Sequence, residues 1–131
     1  MAEHILVIED DPDFLQILSH LLTTAGYTVT TACSGQDGLE KARATQPHLI
    51  LTDLMLPKLN GYEICSLLKQ DLRFRHIPIL LLSATKTQAK DQQLATECGA
   101  DAYALKSLET EALLKKIRDL LVSSSVPRED R

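Results

Sequence analysis

The chain contains no hydrophobic run approaching the ~20 residues that a membrane-spanning helix needs. Its Met-Ala-Glu-His start lacks the basic and apolar regions of a secretory signal. These absences argue against membrane insertion and export and make a cytoplasmic location the expectation. No excess of basic charge is present either. The formal net charge is −4, with acidic and basic residues interspersed, so no basic stripe offers itself to nucleic acid or to an anionic lipid surface. Cysteine is scarce: Cys33, Cys65 and Cys98 are odd in number, far apart in sequence and without a CxxC pair. That pattern indicates neither a disulfide framework nor a thiolate metal site, and leaves small buried apolar fillers as the expected role. Internal repeats and low-complexity tracts are also lacking. With 131 residues, 44% of them apolar, the chain suits one domain that buries roughly two thirds of its unfolded surface.

What is present is an alternation of short apolar runs with helix-length segments. The runs Ile5–Ile8, Leu49–Thr52, Ile79–Leu82 and Ala102–Leu105 have the length and composition of buried strands, and β-branched Thr28–Thr31 adds another. Pro12 opens a helix that places Phe14, Ile17, Leu18, Leu21 and Leu22 on one face and stops at Gly26. Ser34 is a plausible N-cap for a helix through Gly38–Ala44 that ends before Pro47. Further helices are expected over Tyr62–Leu72, over Gln88–Glu97 ahead of Gly99, and after Leu105. In the last of these, Glu109 and Glu111 precede Lys115, Lys116 and Arg118, the charge order that the helix dipole favours. A globular unit is expected over 1–122, followed by a polar tail or linker over 123–131 that contains Pro127.

Buried strands joined by helical crossovers make a parallel sheet, whose strand ends share one edge where loops build a site. That edge gathers Glu9-Asp10 after the first strand, Asp53 after the third, Ser83 after the fourth and Lys106 after the fifth. Carboxylates ~4 Å apart repel by roughly 4 kcal/mol at an effective dielectric near 20, and a hard cation such as Mg²⁺ removes that cost through oxygen ligation. A lysine and a hydroxyl beside the acids suit phosphoryl oxygens. The acidic run Glu9-Asp10-Asp11-Pro12-Asp13 can equally be read as a helix-capping turn, Lys106 as a solvated lysine and Ser83 as a turn residue. The combination is more specific than any member.

The residues resemble the response-regulator receiver domains of bacterial two-component signalling from about Glu3 to Val122. The resemblance rests on Ile5-Leu6-Val7-Ile8-Glu9-Asp10-Asp11-Pro12, Asp53-Leu54-Met55-Leu56-Pro57 with Gly61, Ile77-Pro78-Ile79-Leu80-Leu81-Leu82-Ser83-Ala84, and Gly99-Ala100-Asp101-Ala102-Tyr103-Ala104-Leu105-Lys106. It implies a flavodoxin-like (βα)5 three-layer α/β sandwich with a parallel five-stranded sheet in the order 2-1-3-4-5. It further implies that Glu9, Asp10, Asp53 and the Met55 carbonyl hold Mg²⁺, that Asp53 accepts a phosphoryl group, and that Ser83 and Lys106 contact its oxygens. Ser83 and Tyr103 would form the switch, acting on a face built from the fourth helix, fifth strand and fifth helix. The implied partners are a sensor histidine kinase or phosphotransfer protein upstream and a downstream protein or output domain. No enzymatic activity is implied beyond the domain's own phosphorylation and autodephosphorylation.

Three departures stand out. Ser83 replaces the commoner threonine and keeps its hydroxyl. Ser107 replaces the proline that usually follows the lysine. A non-proline cis bond costs about 3 kcal/mol, so a trans Lys106–Ser107 bond is expected, with the loop before the last helix rearranged and the ammonium less tightly fixed than in relatives. Gln92–Cys98 lacks the arginine-bearing pattern of receivers that drive winged-helix DNA-binding domains, so attachment to such a domain is not supported. A haloacid-dehalogenase-type phosphatase would need a second acid where Met55 stands, and a flavin site would need a Ser/Thr/Gly-rich loop in place of Glu9-Asp10-Asp11. A phosphorylation-independent interaction module is the remaining rival.

Overall fold

Five parallel strands carry the molecule: β1 (His4–Ile8), β2 (Thr28–Ala32), β3 (Leu49–Asp53), β4 (Ile79–Ser83) and β5 (Ala102–Leu105). They lie in the order β2-β1-β3-β4-β5. The computed structural model describes residues 2–84 and 97–125, without the side chains of 124 and 125. The expected helix over Gln88–Glu97 therefore lies outside the described residues except at Glu97. The described helices are α1 (Pro12–Thr24), α2 (Gly35–Thr45), α3 (Gly61–Gln70) and α4 (Thr110–Ser125).

The central strands β1, β3 and β4 are largely apolar because both faces of the sheet are covered there, whereas the edge strand β2 is threonine-rich and only partly buried. Alternate residues feed two cores. Ile5, Val7, Leu49, Leu51, Leu80 and Leu82 pack with Leu18 and Leu22 of α1 and with Leu113, Ile117 and Leu121 of α4. Leu6, Ile8, Ile50, Ile79 and Leu81 pack on the other side with Leu39 and Ala42 of α2 and Ile64, Cys65 and Leu68 of α3. Every residue of β3 and β4 is buried.

Local signals set the helix ends. Asp11 caps α1 by accepting from Asp13 N at 3.0 Å, and Pro12 takes the first turn. Ser34 caps α2 through Asp37 N at 3.1 Å. Asn60 and Glu63 form a reciprocal capping box on α3. Three expectations need correction. Ile17 is 59% exposed, because the buried stripe of α1 is narrower than the sequence periodicity suggests and centres on Leu18 and Leu22. Cys33 is exposed rather than a core filler, since it lies just beyond the end of β2. Ser123–Ser125 belong to α4 rather than to a tail, there being no helix breaker before Pro127.

Candidate functional site

The chain reverses direction across the sheet between β1 and β3, and at the carboxyl ends of these neighbours a crevice opens. The register Ile8↔Thr52 places Glu9 and Asp53 beyond the same pair of rungs. Carboxylate oxygens of Glu9, Asp10 and Asp53 all lie within 4.8 Å of one another. Glu9 is 1% exposed and Asp53 5%, while Asp10 reaches solvent. At this spacing two bare carboxylates repel by roughly 3–4 kcal/mol at an effective dielectric near 20.

Lys106 relieves part of that repulsion. Its Nζ lies 2.6 Å from Glu9 Oε1 and 3.2 Å from Asp53 Oδ2. The ammonium also sits 4.6 Å from the centroid of the Phe14 ring, a cation–π contact from the first turn of α1. Burial pushes the Glu9 carboxyl above its ordinary value, Lys106 and the Asp11 N–H pull it back, and the Asp53 charge adds to the rise. For Lys106 burial disfavours the charge, but the Glu9 and Asp53 carboxylates outweigh it and hold the ammonium above its ordinary value. Glu9 Oε2 accepts from Asp11 N at 3.1 Å. Glu9 Oε1 is buried and, despite the ammonium beside it, has no partner of hydrogen-bond geometry.

The acidic turn thus serves both of its readings. Asp11 caps the helix, and Glu9 and Asp10 face the crevice together with Asp53. Three clustered hard oxygen donors, one with an unsatisfied buried oxygen, fit a divalent cation of the Mg²⁺ type.

The Asp53 loop is held from behind by two close approaches. Leu54 N donates to Leu82 O at 2.8 Å, and Gly61 N donates to Leu54 O at 3.0 Å. A Cβ on Gly61 would stand 2.7 Å from Asp53 O and 2.9 Å from Leu54 Cα, so only glycine lets α3 start against the loop. Met55 N lies 3.4 Å from Asp53 Oδ1, and the Met55 side chain is 73% exposed.

Ser83 is 4% exposed at the end of β4, opposite Leu105. Its carbonyl accepts from Lys106 N at 2.7 Å, which ties the end of β4 to the start of the β5 loop. Tyr103 packs against the core of the α2–α3 face, and its hydroxyl is buried without a hydrogen-bond partner among the described residues. Lys106–Ser107 is trans, with no cis peptide among the described residues. Two carboxylates and an aromatic face surround the Lys106 ammonium.

Phe14 is the site residue that sequence reading missed. The helical periodicity assigned it to the core, and only its place in the turn after the acidic run hinted at the lysine. Most of the Gln92–Cys98 segment lies outside the described residues.

Residues 5–118 match the family model of the response regulator receiver domain. The chain belongs to this family. It is 41% identical over 117 residues to the DNA-binding dual master transcriptional regulator RpaA of a Synechocystis strain, covering 89% of this chain and 48% of that protein. It is 38% identical over 127 residues to the alkaline phosphatase synthesis transcriptional regulatory protein PhoP of Bacillus subtilis, covering 96% and 51%. The chain therefore spans about half the length of these curated relatives. Among solved structures it is similar to the signal receiver domain of a histidine kinase from Syntrophus aciditrophicus, with a TM-score of 0.88, 30% identity, and 98% and 96% of the two chains covered. It is also similar to the chemotaxis protein CheY4 of Vibrio cholerae, with a TM-score of 0.86, 28% identity, and 92% and 99% covered. As a receiver domain, the chain has the sheet order 2-1-3-4-5 and the convergent acid–lysine edge expected from its sequence. No described helix is long and apolar enough to cross a membrane.

Proposed function

We propose that this receiver domain accepts a phosphoryl group on Asp53 from a phosphohistidine of a sensor kinase or phosphotransfer protein, and that the modification switches its binding surface. The observation that carries the reading is Asp53 itself: a carboxylate 5% exposed at a strand end, with a lysine ammonium at 3.2 Å and two further acids clustered around it.

An Asp53 oxygen attacks phosphorus, the new O–P bond forms as the P–N bond to imidazole breaks, and the departing ring keeps the bond pair and takes up a proton. Asp53 is a weak nucleophile, so position and charge neutralisation must supply the rate. The backbone bonds from Leu54 to Leu82 and from Gly61 to Leu54 fix the loop in place. Lys106, already paired with Asp53, transfers its charge to a phosphoryl oxygen, and the Ser83 hydroxyl donates to another. Mg²⁺, when bound, neutralises charge on the incoming phosphoryl oxygens, and Glu9, Asp10, Asp53 and the Met55 carbonyl are the groups to hold it.

The acyl phosphate adds charge and acceptor oxygens beside Ser83, and Tyr103 relays the change to the face formed by β5 and α4. The domain works on itself, through phosphorylation and autodephosphorylation, with no separate enzymatic activity. Its place is the cytoplasm, and its output passes through a partner protein or an attached domain without nucleic-acid contact of its own. Residues 1–122 hold the functional unit, α4 runs on to Ser125, and the remaining chain to 131 is a tail or linker.

Incubation with acetyl phosphate or phosphoramidate and Mg²⁺ should add one phosphoryl mass to the wild type and none to Asp53→Asn. Label that persists in the variant would move the acceptor elsewhere. No label with either donor would favour an interaction module that works without phosphorylation.

A further inference from the structure

Two cysteines separated by 33 positions meet in space, away from the acid crevice. Cys65 lies on α3, fully buried within the core that α2 and α3 lay against the sheet. Its thiol donates to the Cys98 carbonyl, with Sγ 3.4 Å from the oxygen. Cys98 is only half-buried and packs against the same core. Gly99 follows with φ +89°, turning the chain towards Asp101 and β5. Cys65 thus lies wholly in the interior and Cys98 at its margin, an arrangement invisible in the spacing of the cysteines.

We propose that Cys65 and Cys98 are a redox-active dithiol that a hydroperoxide converts into an intramolecular disulfide. Cys98, the less buried of the two, reacts first as its thiolate. Its sulfur attacks one peroxide oxygen, the O–O bond breaks, and Cys98 becomes a sulfenic acid as water or alcohol departs. The Cys65 sulfur then attacks the Cys98 sulfur, the S–O bond breaks, and a second water leaves with the Cys65 proton. The two thiols lose two electrons and two protons in all, and the peroxide is reduced by the same two electrons.

The order of attack follows from the surroundings. Burial, followed by the neighbouring Cys98, raises the Cys65 thiol far above the ordinary value, so Cys65 is unreactive towards a dissolved oxidant. It remains in contact with Cys98, where sulfenic acid would form. The Lys69 ammonium, one helical turn along α3, offsets part of the penalty for a Cys65 thiolate. The disulfide would close a loop containing β4 and Ser83 and pin the residue ahead of the Gly99 turn to α3. In a reducing compartment such a bond is transient and reports oxidant.

The test uses the full chain, reduced, treated with stoichiometric hydrogen peroxide, quenched in acid and alkylated under denaturing conditions. Intact mass should show one alkylated thiol per oxidised molecule. Trypsin should then yield one disulfide-linked pair, joining the peptide that ends at Lys69 to the peptide that ends at Lys106. The exposed Cys33 should stay reduced, and Cys33→Ser should give the same linked pair. Cys98→Ser should lose it and leave Cys65 alkylatable. Three alkylated thiols after treatment, a crosslink through Cys33, or sulfinic acid at Cys98 without any crosslink would each overturn the proposal.

Discussion

Each edge of the sheet carries a lysine bound to an aspartate, and the two lysines do opposite things. At the amino edge, Lys69 Nζ reaches Asp101 Oδ2 at 2.8 Å and donates to the carbonyls of Ile77 at 2.8 Å and Arg75 at 3.1 Å. Asp101 in turn accepts from Ile79 N at 2.8 Å. One cation meets one anion and the backbone takes up the remaining donors, so this is a finished joint between α3, β4 and β5. At the carboxyl edge Lys106 faces two buried carboxylates with a third nearby, and one buried oxygen lacks a hydrogen bond. That cluster is short of positive charge as it stands. Completed ion pairs hold a fold, whereas an incomplete one is a place for a ligand.

Removing the finished joint should have the largest effect on stability. Lys69→Met leaves Asp101 and the Ile77 carbonyl without their ammonium and should cost about 2–4 kcal/mol in urea unfolding, with Mg²⁺ affinity unchanged. Easing the unfinished one should do the reverse. Asp10→Asn should weaken Mg²⁺ binding by about tenfold or more, or roughly 1.4 kcal/mol. In metal-free buffer the same variant should melt slightly higher than wild type, because one repelling charge is gone. Equal melting temperatures for the two proteins, with and without Mg²⁺, would argue against a shared acid pocket.

A finer test concerns Phe14. Phe14→Leu should cost about 0.5–1 kcal/mol through the lost cation–π contact, and the excess over the cost of the same change in a Lys106→Met background measures the coupling. Additive effects would mean that the aromatic ring only packs.

The smallest effect lies at His4, where burial and then the neighbouring His48 lower the imidazole below its usual 6.5. The unfolded chain therefore takes up the proton more readily, so stability should fall as pH drops through the window beneath 6.5. His4→Gln should flatten that slope. An unchanged pH profile would remove His4 from the account.

The central strands were legible because they are buried on two faces and read as apolar runs, and β2 through its β-branched residues. The structure extends β3 to Asp53 and β4 to Ser83, one residue past each run, so that both polar site residues end their strands. The site was legible for a related reason, since polar residues at the ends of such runs have nowhere to go but the loop edge. Contacts decided by helix packing were not legible. The approach of Cys65 to Cys98 and the bond from Lys69 to Asp101 depend on where α3 settles against the chain returning to β5.

The end of β4 is anchored on both flanks: Leu82 O holds Leu54 N, and Ser83 O holds Lys106 N. Leu54 and Lys106 each begin a loop beside the crevice, so two amide protons act as strain gauges on either side of the hydroxyl residue. If the strand end stays rigid and rearrangement begins at Ala84, both amides exchange slowly with deuterium in every state of the domain. If the strand end itself moves, the Lys106 amide loosens while Leu54 stays protected, and a single pair of exchange rates distinguishes a hinge beyond Ser83 from one within β4.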